Sequence, residues 1–291
     1  MNRREFEKLA EDIIILDGAT GSNLRKAGMP VGICPETWIL EHPETIIQLQ
    51  RAYAEAGSQI IYAPTFSGNR IALEMHGQQD RLAELNTKLV ALSKEAVGDS
   101  AYVAGDLTTT GRMLEPRGNI SYQELFDVYK EQIKVLADAG ADLLVAETML
   151  DVDETLVLLD AAQAVCDLPV MCSLTLESDG SALFGGNAVE MVEQLQEMGA
   201  VAVGLNCSVG PDQLEAVVAS MKAVAKVPVI AKPNAGMPVI DEKGVAHYNM
   251  DAEHFGRSMK KLIERGAGVV GGCCGTDPAY IRALAREIGR I

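Results

Sequence analysis

Short apolar runs recur along the whole chain and are rich in β-branched residues. Eight of them stand out, at residues 13–16, 60–63, 102–105, 143–146, 170–173, 201–204, 229–231 and 269–271. The runs are apolar at consecutive positions rather than at alternate ones, which is typical of strands that are buried on both faces of a parallel sheet. The pattern therefore predicts eight buried parallel strands.

Amphipathic segments with apolar residues at helical spacing lie between these runs. The clearest are residues 43–56, 121–139, 152–165, 212–225 and 252–265. Several helical stretches end in a glycine just before the next run, where a left-handed residue closes a helix. These glycines are Gly57, Gly140, Gly199 and Gly266. Strand and helix thus alternate along the chain.

This alternation predicts an α/β protein with a closed (β/α)8 TIM barrel. No Pro- or Ser-rich linker divides the chain, so we expect a single domain over residues 1–291. The active site of such barrels lies where strands end and loops begin. Those positions are polar here, and the long segments 28–43 and 108–118 are expected to wall a pocket above them.

The composition narrows the function classes. The 291 residues carry a formal net charge of −16 at pH 7, which disfavours nucleic acid and anionic membranes because such partners need clustered Lys and Arg. No apolar run approaches the length of a membrane span. Six cysteines with no apolar leader after Met1 favour a reducing compartment over a disulfide framework. We therefore expect a cytoplasmic protein that acts on a small molecule and has no nucleic-acid or membrane partner.

The most specific signal is a set of three cysteines at predicted strand ends, with Cys207 after the sixth run and Cys273 and Cys274 after the eighth. Neighbouring strand residues point to opposite faces, so the adjacent pair converges on one atom only where the backbone bends, which the flanking glycines permit. Three thiolates without a fourth nearby protein ligand indicate a soft-metal site with one open position, as in catalytic zinc sites. A redox pair at 273–274 is the alternative, although the Cys-x-x-Cys spacing is absent.

Other polar strand ends suit a charged ligand. Asp17 and Glu147 are expected on the same rim, where two carboxylates would bind an ammonium group; helix capping is the alternative for each. The amides of Gly18, Ala19 and the next residue are suited to a carboxylate. Asn234 is either a turn former or an oxygen ligand that fills the metal's open position when substrate is absent.

The remaining motifs point to packing or surface roles. Cys34, Cys166 and Cys172 are interpreted as loop or buried packing residues. Residues 266–271 match G-x-G-x-x-G, but they lead from a helix into a strand, which is the reverse of the dinucleotide-binding context. The histidines lie outside the strand ends and are expected on the surface: His42, His76, His247 and His254.

With these residues in place, the chain resembles the zinc-dependent homocysteine S-methyltransferase family over nearly its whole length. The motifs that carry the resemblance are LDGATG at 16–21, GLNCS at 204–208, PNAG at 233–236 and GGCCGT at 271–276. Within the family, residues 63–70 and 105–111 look most like the homocysteine-binding domain of cobalamin-dependent methionine synthase. They look less like the branches that use S-methylmethionine or betaine.

The resemblance implies a zinc ion held by Cys207, Cys273 and Cys274, which also makes these cysteines the catalytic set. It implies that the thiolate of zinc-bound homocysteine attacks an activated methyl group in line and gives methionine. The donor implied is methylcobalamin on a separate corrinoid protein or domain, because the chain lacks an Asp-x-His-x-x-Gly signature. The predicted substrate contacts, from the resemblance and from strand-end position, are Asp17, Gly18, Ala19, Thr65, Glu147, Asn206 and Asn234.

One departure and two alternatives accompany this hypothesis. Residues 185–187 read Gly-Gly-Asn where the family pattern leads us to expect Gly-Thr, which puts homocysteine contacts at that loop in doubt. A structural or thiol-sensing zinc site closed by Cys172 or Cys34 is the non-enzymatic alternative. A metal-dependent aldolase or isomerase is disfavoured, because such sites use His and carboxylate ligands that this rim does not supply.

Overall fold

The chain folds as a parallel β-barrel surrounded by helices, in a computed structural model that describes residues 1–184, 186–241 and 246–291. The barrel strands are β1 (Ile14–Ile15), β2 (Ile60–Tyr62), β3 (Tyr102–Leu107), β4 (Leu143–Met149), β5 (Val170–Leu174), β6 (Ala202–Asn206), β7 (Val229–Lys232) and β10 (Ala267–Val270). Two further strands, β8 (Pro238–Ile240) and β9 (Ala246–Tyr248), form a separate antiparallel hairpin.

The eight-stranded sheet has the order β1-β10-β7-β6-β5-β4-β3-β2. A parallel bridge between Leu16 and Ile60 joins the two outer strands, so the sheet closes on itself. Each predicted apolar run coincides with one of these strands. The predicted (β/α)8 barrel is confirmed.

Helices and short 3₁₀ turns follow the strands. They are α1 (Arg3–Leu9), α2 (Gly21–Lys26), α3 (Pro35–Glu41), α4 (Pro43–Glu55), α5 (Arg70–Glu74), α6 (Leu82–Val97), α7 (Tyr122–Asp138), α8 (Val152–Val165), α9 (Ala188–Glu197), α10 (Glu215–Val224), α11 (Ala252–Glu264) and α12 (Pro278–Glu287), with 3₁₀ turns at Gln79–Arg81 and Pro211–Gln213. The glycines predicted to close helices, Gly57, Gly140, Gly199 and Gly266, all have positive φ.

The two largest parts of the core lie inside the barrel and between the barrel and the helices, because alternate strand residues face these two sides. Inside the barrel, a cluster that includes Ile14, Ile60 and Met171 packs against Phe6 of α1. Since the amino group of Met1 donates to the carbonyl of Asp142, just before β4, α1 covers the amino-terminal end of the barrel. The opposite end stays open for a pocket.

The two long segments expected to wall a pocket differ in structure. Segment 28–43 contains α3. Segment 108–118 is drawn toward α8, because the Thr110 hydroxyl and amide donate to Glu154, and the Thr109 hydroxyl does so as well. In residue range 185–187, Gly185 lies outside the described residues, while Asn187 caps α9 with its side chain.

No helix within the described ranges combines the length and the apolar character that crossing a bilayer requires.

Gly204 in β6 is the tightest point of strand packing near the open end. A Cβ there would lie 2.1 Å from the carbonyl oxygen of Ile230 on β7, and a backbone atom in a sheet has little room to move. We expect Gly204→Ala to lower the free energy of unfolding by about 2 kcal/mol, measured by urea denaturation. Gly21→Ala is the control, because a Cβ there meets nothing within 4 Å; equal losses in the two variants would contradict this account.

Candidate metal centre and its pocket

Three cysteine sulfurs meet at the open end of the barrel. The Sγ atoms of Cys207, Cys273 and Cys274 all lie within 4.8 Å of one another, and those of Cys207 and Cys274 are 3.5 Å apart. Among the described residues, no further His, Cys, Asp or Glu joins this set. The trio thus offers three sulfur ligands, which is the donor set preferred by soft metal ions.

The end of β7 holds the cysteine segments in place. The amide of Cys207 donates to the carbonyl of Lys232 at 3.3 Å, and the amide of Cys273 donates to the carbonyl of Pro233 at 2.7 Å. The carbonyl of Cys274 accepts from the amide of Ala235 at 2.9 Å. Since β7 lies between β6 and β10 in the sheet, it sets the separation of the two segments.

Backbone bends turn the sulfurs toward one another. Cys207 has a φ of 53°, a left-handed conformation that is uncommon for a residue with a side chain. Gly272 has no room for a Cβ, which would lie 2.5 Å from the Thr276 hydroxyl. Cys273 and Cys274 follow the end of β10 at Val270, so the strand alternation that would direct neighbouring side chains to opposite faces no longer applies to them.

The three thiols shift one another's titration. Contacts with Cys207 and Cys273 lower the pKa of Cys274 to about 3, and a contact with Tyr248 of the hairpin adds to this effect. Contacts with Cys273 and then with Cys274 raise the pKa of Cys207, and burial adds to the rise.

Asn206 supports the trio from within the barrel wall. Its Oδ1 accepts from the amide of Thr148 and from the Ser173 hydroxyl, each at 2.9 Å. Its Nδ2 donates to the Thr148 hydroxyl at 2.7 Å and toward the sulfur of Cys273 at 3.8 Å. Asn206 is fully buried, so these protein contacts occupy the side chain that the sequence suggested for substrate.

A cavity of about 500 Å³ extends from the cysteines across the barrel mouth. Its walls are the segment after β1, helix α3, the end of β2 and the inward side chains at the ends of β3, β4 and β7. Segment 28–43 thus walls the pocket, as predicted, through Met29, Pro35, Glu36 and Ile39, whereas none of the described residues lining this cavity comes from 108–118.

A buried lysine, Lys232, occupies the floor of the cavity. No sequence motif predicted a lysine at this position. The ammonium of Lys232 lies 2.9 Å from Oε1 of Glu147 and 3.5 Å from Oδ1 of Asp17. It also lies 4.8 Å from the centroid of the Tyr62 ring. The structure therefore brings Asp17 and Glu147 together, as predicted, but around an ammonium that belongs to the protein.

Burial and mutual charge shift the titration of this group. Burial raises the pKa of Asp17 to about 7, against the opposing effect of Lys232. Burial raises the pKa of Glu147, and burial together with the Glu147 charge raises that of Asp106. Burial alone would lower the pKa of Lys232, but Glu147 and Asp17 raise it above its usual value. The lysine therefore stays charged and stabilises the carboxylates.

Some backbone groups of the segment after β1, whose amides are predicted to bind a carboxylate, form hydrogen bonds within the protein. The amide of Ala19 donates to the hydroxyl of Thr276 at 3.1 Å. The carbonyl of Ala19 accepts from the Tyr53 hydroxyl at 2.8 Å. Gly18 is confined to glycine because a Cβ would lie 2.7 Å from the Tyr53 ring. The segment is thus fixed against the 276 loop beside the cavity.

Two further predicted contact residues lie deeper in the protein. The Thr65 hydroxyl donates to the carbonyl of Asp106 at 2.8 Å and accepts from the amide of the same residue. Nδ2 of Asn234 donates to the carbonyl of Ser208 at 3.1 Å, whereas its buried Oδ1 has no donor among the described residues. Contact of either side chain with a substrate stays a prediction.

Residues interpreted as packing or surface groups take those positions. Cys172 is fully buried, and burial raises its pKa above the normal thiol range; Cys34 packs beside Leu73 and donates to Glu36. Neither thiol belongs to the cysteine trio. All four histidines are exposed. Residues 266–271 run from the end of α11 into β10, so they do not form a dinucleotide site.

Comparison with known proteins agrees with this geometry. The family described as homocysteine S-methyltransferase matches residues 14–288, which is nearly the whole chain. The chain belongs to the homocysteine S-methyltransferase family. This family assignment carries methyltransferase activity as its general chemistry and matches the resemblance noted in the sequence.

Curated relatives of this homocysteine S-methyltransferase family member are longer proteins. The chain is 29% identical to the methionine synthases of Mycobacterium leprae and Mycobacterium tuberculosis, over 98% of its own length in each case. It spans 25% of the length of each of these relatives.

Solved structures share the fold. The oxidised form of the homocysteine methyltransferase MmuM from Escherichia coli superimposes with a TM-score of 0.81 at 23% identity, covering 98% of this chain and 99% of that one. The metallated form of MmuM gives a TM-score of 0.80 at 22% identity, with the same coverage. At these identities the likeness concerns the barrel architecture alone.

The Lys232 ion pairs yield a stability prediction. We expect Lys232→Met to lower the free energy of unfolding by about 3 kcal/mol or more at pH 8, because two buried carboxylates lose their counter-ion. The loss should shrink toward pH 5. The pKa of Asp17 is already about 7 with the lysine present, and a protonated carboxyl needs no counter-ion.

Urea denaturation at both pH values measures this effect. Lys226→Met is the matched control, because Lys226 is an exposed lysine three residues before the start of β7, and we expect a change within about 0.5 kcal/mol. A Lys232 variant as stable as the control at pH 8 would contradict the ion-pair interpretation.

Proposed function

We propose that this protein is a zinc-dependent homocysteine S-methyltransferase that forms methionine, with the methyl group coming from methylcobalamin on a separate corrinoid protein or domain. The observation that supports the proposal most directly is that one cavity contains both the cysteine trio and the carboxylates Asp17 and Glu147. A sulfur-binding centre and an ammonium-binding centre in one pocket match the two functional ends of a thiol amino acid.

The trio suits zinc by number, chemistry and spacing. Three sulfur ligands leave one position open, as catalytic zinc sites do. A tetrahedral shell with Zn–S bonds of about 2.3 Å requires sulfur separations of roughly 3.8 Å, and the Cys207–Cys274 separation is 3.5 Å. We therefore propose Cys207, Cys273 and Cys274 as the zinc ligands, and a reducing cytoplasmic location keeps such free thiols available.

Zinc bound by these cysteines would lower the pKa of an added thiol, so that its sulfur is a thiolate at neutral pH. The protein's own residues perform the positioning. Asp17 and Glu147, paired with Lys232, place negative charge beside the acceptor's amino group, while the amides near Gly18 face its carboxylate. With both ends of the amino acid fixed, the sulfur is aligned with an incoming methyl group.

The chemical step is a direct displacement. The acceptor sulfur forms a bond to the methyl carbon while the bond from that carbon to the donor breaks, and the electron pair of the broken bond leaves with the donor. The product is a neutral thioether, which binds metal more weakly than a thiolate does. The difference favours release of methionine.

The donor assignment is supported by the methionine synthases among the relatives. Since the chain spans 25% of those proteins, a donor-bearing partner or further domain would supply the methyl group. S-methylmethionine and betaine are the competing donors, because the same acceptor site is compatible with each.

Methionine formation by the purified, zinc-loaded protein tests the proposal. We expect turnover with homocysteine and methylcobalamin, and little with S-methylmethionine or betaine. Methionine is quantified by mass spectrometry after each donor is added separately. Turnover with S-methylmethionine alone would contradict the donor assignment, and no turnover with any donor would contradict the function.

Cysteine variants test whether the trio acts as a unit. Cys273→Ala should lower the rate of methionine formation by at least about 100-fold, because the acceptor loses the centre that activates its sulfur. Cys166→Ala should retain the rate, since Cys166 lies at the end of α8 and outside the trio. Equal rates for the two variants would exclude the trio as the active centre.

A further inference from the structure

Asp106 is a buried carboxyl group on the cavity wall that the proposed mechanism does not use. Asp106 is the last residue of β3 whose side chain faces the barrel interior. It lines the cavity and is only 5% exposed. Its backbone atoms bond to Thr65, but the described residues supply no hydrogen-bond donor to its buried Oδ1. Native proteins rarely leave a buried polar atom unpaired, and those that do so usually have a role for it.

The neighbouring carboxylates already have a cation. Lys232 lies 2.9 Å from Glu147 and forms a longer ion pair, 3.5 Å, with Asp17. Oδ1 of Asp17 also lacks a hydrogen-bond donor, but its Oδ2 accepts from the amide of Tyr62 at 2.8 Å. Of the carboxyl groups that line this cavity, Asp106 is the one to which the described residues supply neither an ion pair nor a side-chain hydrogen bond.

We propose that Asp106 is a substrate-binding residue that accepts a hydrogen bond from the ammonium group of the amino-acid acceptor, while Lys232 remains paired with Glu147 and Asp17. This inference rests on the proposed function and assigns amino-acid specificity within that site to a residue outside the predicted contact set.

The electrostatics of the cavity agree with this assignment. Burial and the nearby Glu147 charge raise the pKa of Asp106, because the carboxylate has no counter-ion bonded to it. An ammonium at hydrogen-bond distance would supply that counter-ion, and charge-assisted hydrogen bonds are the strong ones in such sites. The site thus favours a cationic group over a neutral or anionic one at this position.

A pair of ligands that differ only in the amino group provides the test. Binding of homocysteine and of 4-sulfanylbutanoate, which lacks the amino group, is measured by calorimetry on the zinc-loaded protein. We expect Asp106→Asn to weaken homocysteine binding by about tenfold or more and to change 4-sulfanylbutanoate binding by less than about twofold. Asp99→Asn, an exposed position just before the opposite end of β3, should change neither.

Each result bears on a distinct claim. Unchanged homocysteine affinity in Asp106→Asn, or equal weakening of both ligands, overturns the role of Asp106. A wild-type zinc protein that fails to bind homocysteine overturns the proposed function itself. If the variant does not fold, a crystal structure of the wild-type complex decides, because an acceptor nitrogen that contacts Glu147 or Asp17 but not Asp106 also overturns the inference.

Discussion

The site depends on the backbone hydrogen bonds at the end of β7. This strand lies between the strands that carry the cysteines, and its final carbonyls receive the amides of Cys207 and Cys273. A parallel barrel fixes the spacing of neighbouring strands. Because these bonds hold both cysteine segments against the end of β7, that spacing determines the distance between the sulfur atoms. Two cysteine segments that are distant in sequence are thereby held next to one another.

The same strand end connects the metal centre with the charged floor of the cavity. Lys232 supplies the carbonyl that Cys207 binds and also the ammonium that Asp17 and Glu147 bind. A cluster of buried carboxylates is unstable unless a cation lies among them. The lysine therefore allows several carboxyl groups to face one small pocket, and it couples their position to that of the cysteines.

Much of this arrangement was predictable from the sequence. Apolar runs marked every barrel strand because parallel strands are buried on both faces, and the position of Cys207 and Cys273 at strand ends indicated a common rim. The inward direction of Lys232 was not predicted, since lysine is seldom buried and one run ended just before it. Yet Ile230 faces the barrel interior, and the two-residue period of a strand places Lys232 on the same side.

Local structure beyond the barrel was harder to predict. The β8–β9 hairpin was missed because Val239 and Ile240 are largely exposed, so no buried apolar pattern marks it. Its contribution is nevertheless local to the site: Tyr248 donates to Cys274 and packs where a side chain at position 275 would otherwise lie. Such contacts depend on the tertiary arrangement and leave no periodic signal in the sequence.

X-ray absorption at the zinc edge tests the central claim most directly, since it counts the sulfur atoms around the metal. The account predicts three sulfur ligands in the zinc-loaded protein and four after homocysteine is added, because the trio leaves one position for the acceptor. A sulfur count that does not change on addition of homocysteine would contradict it.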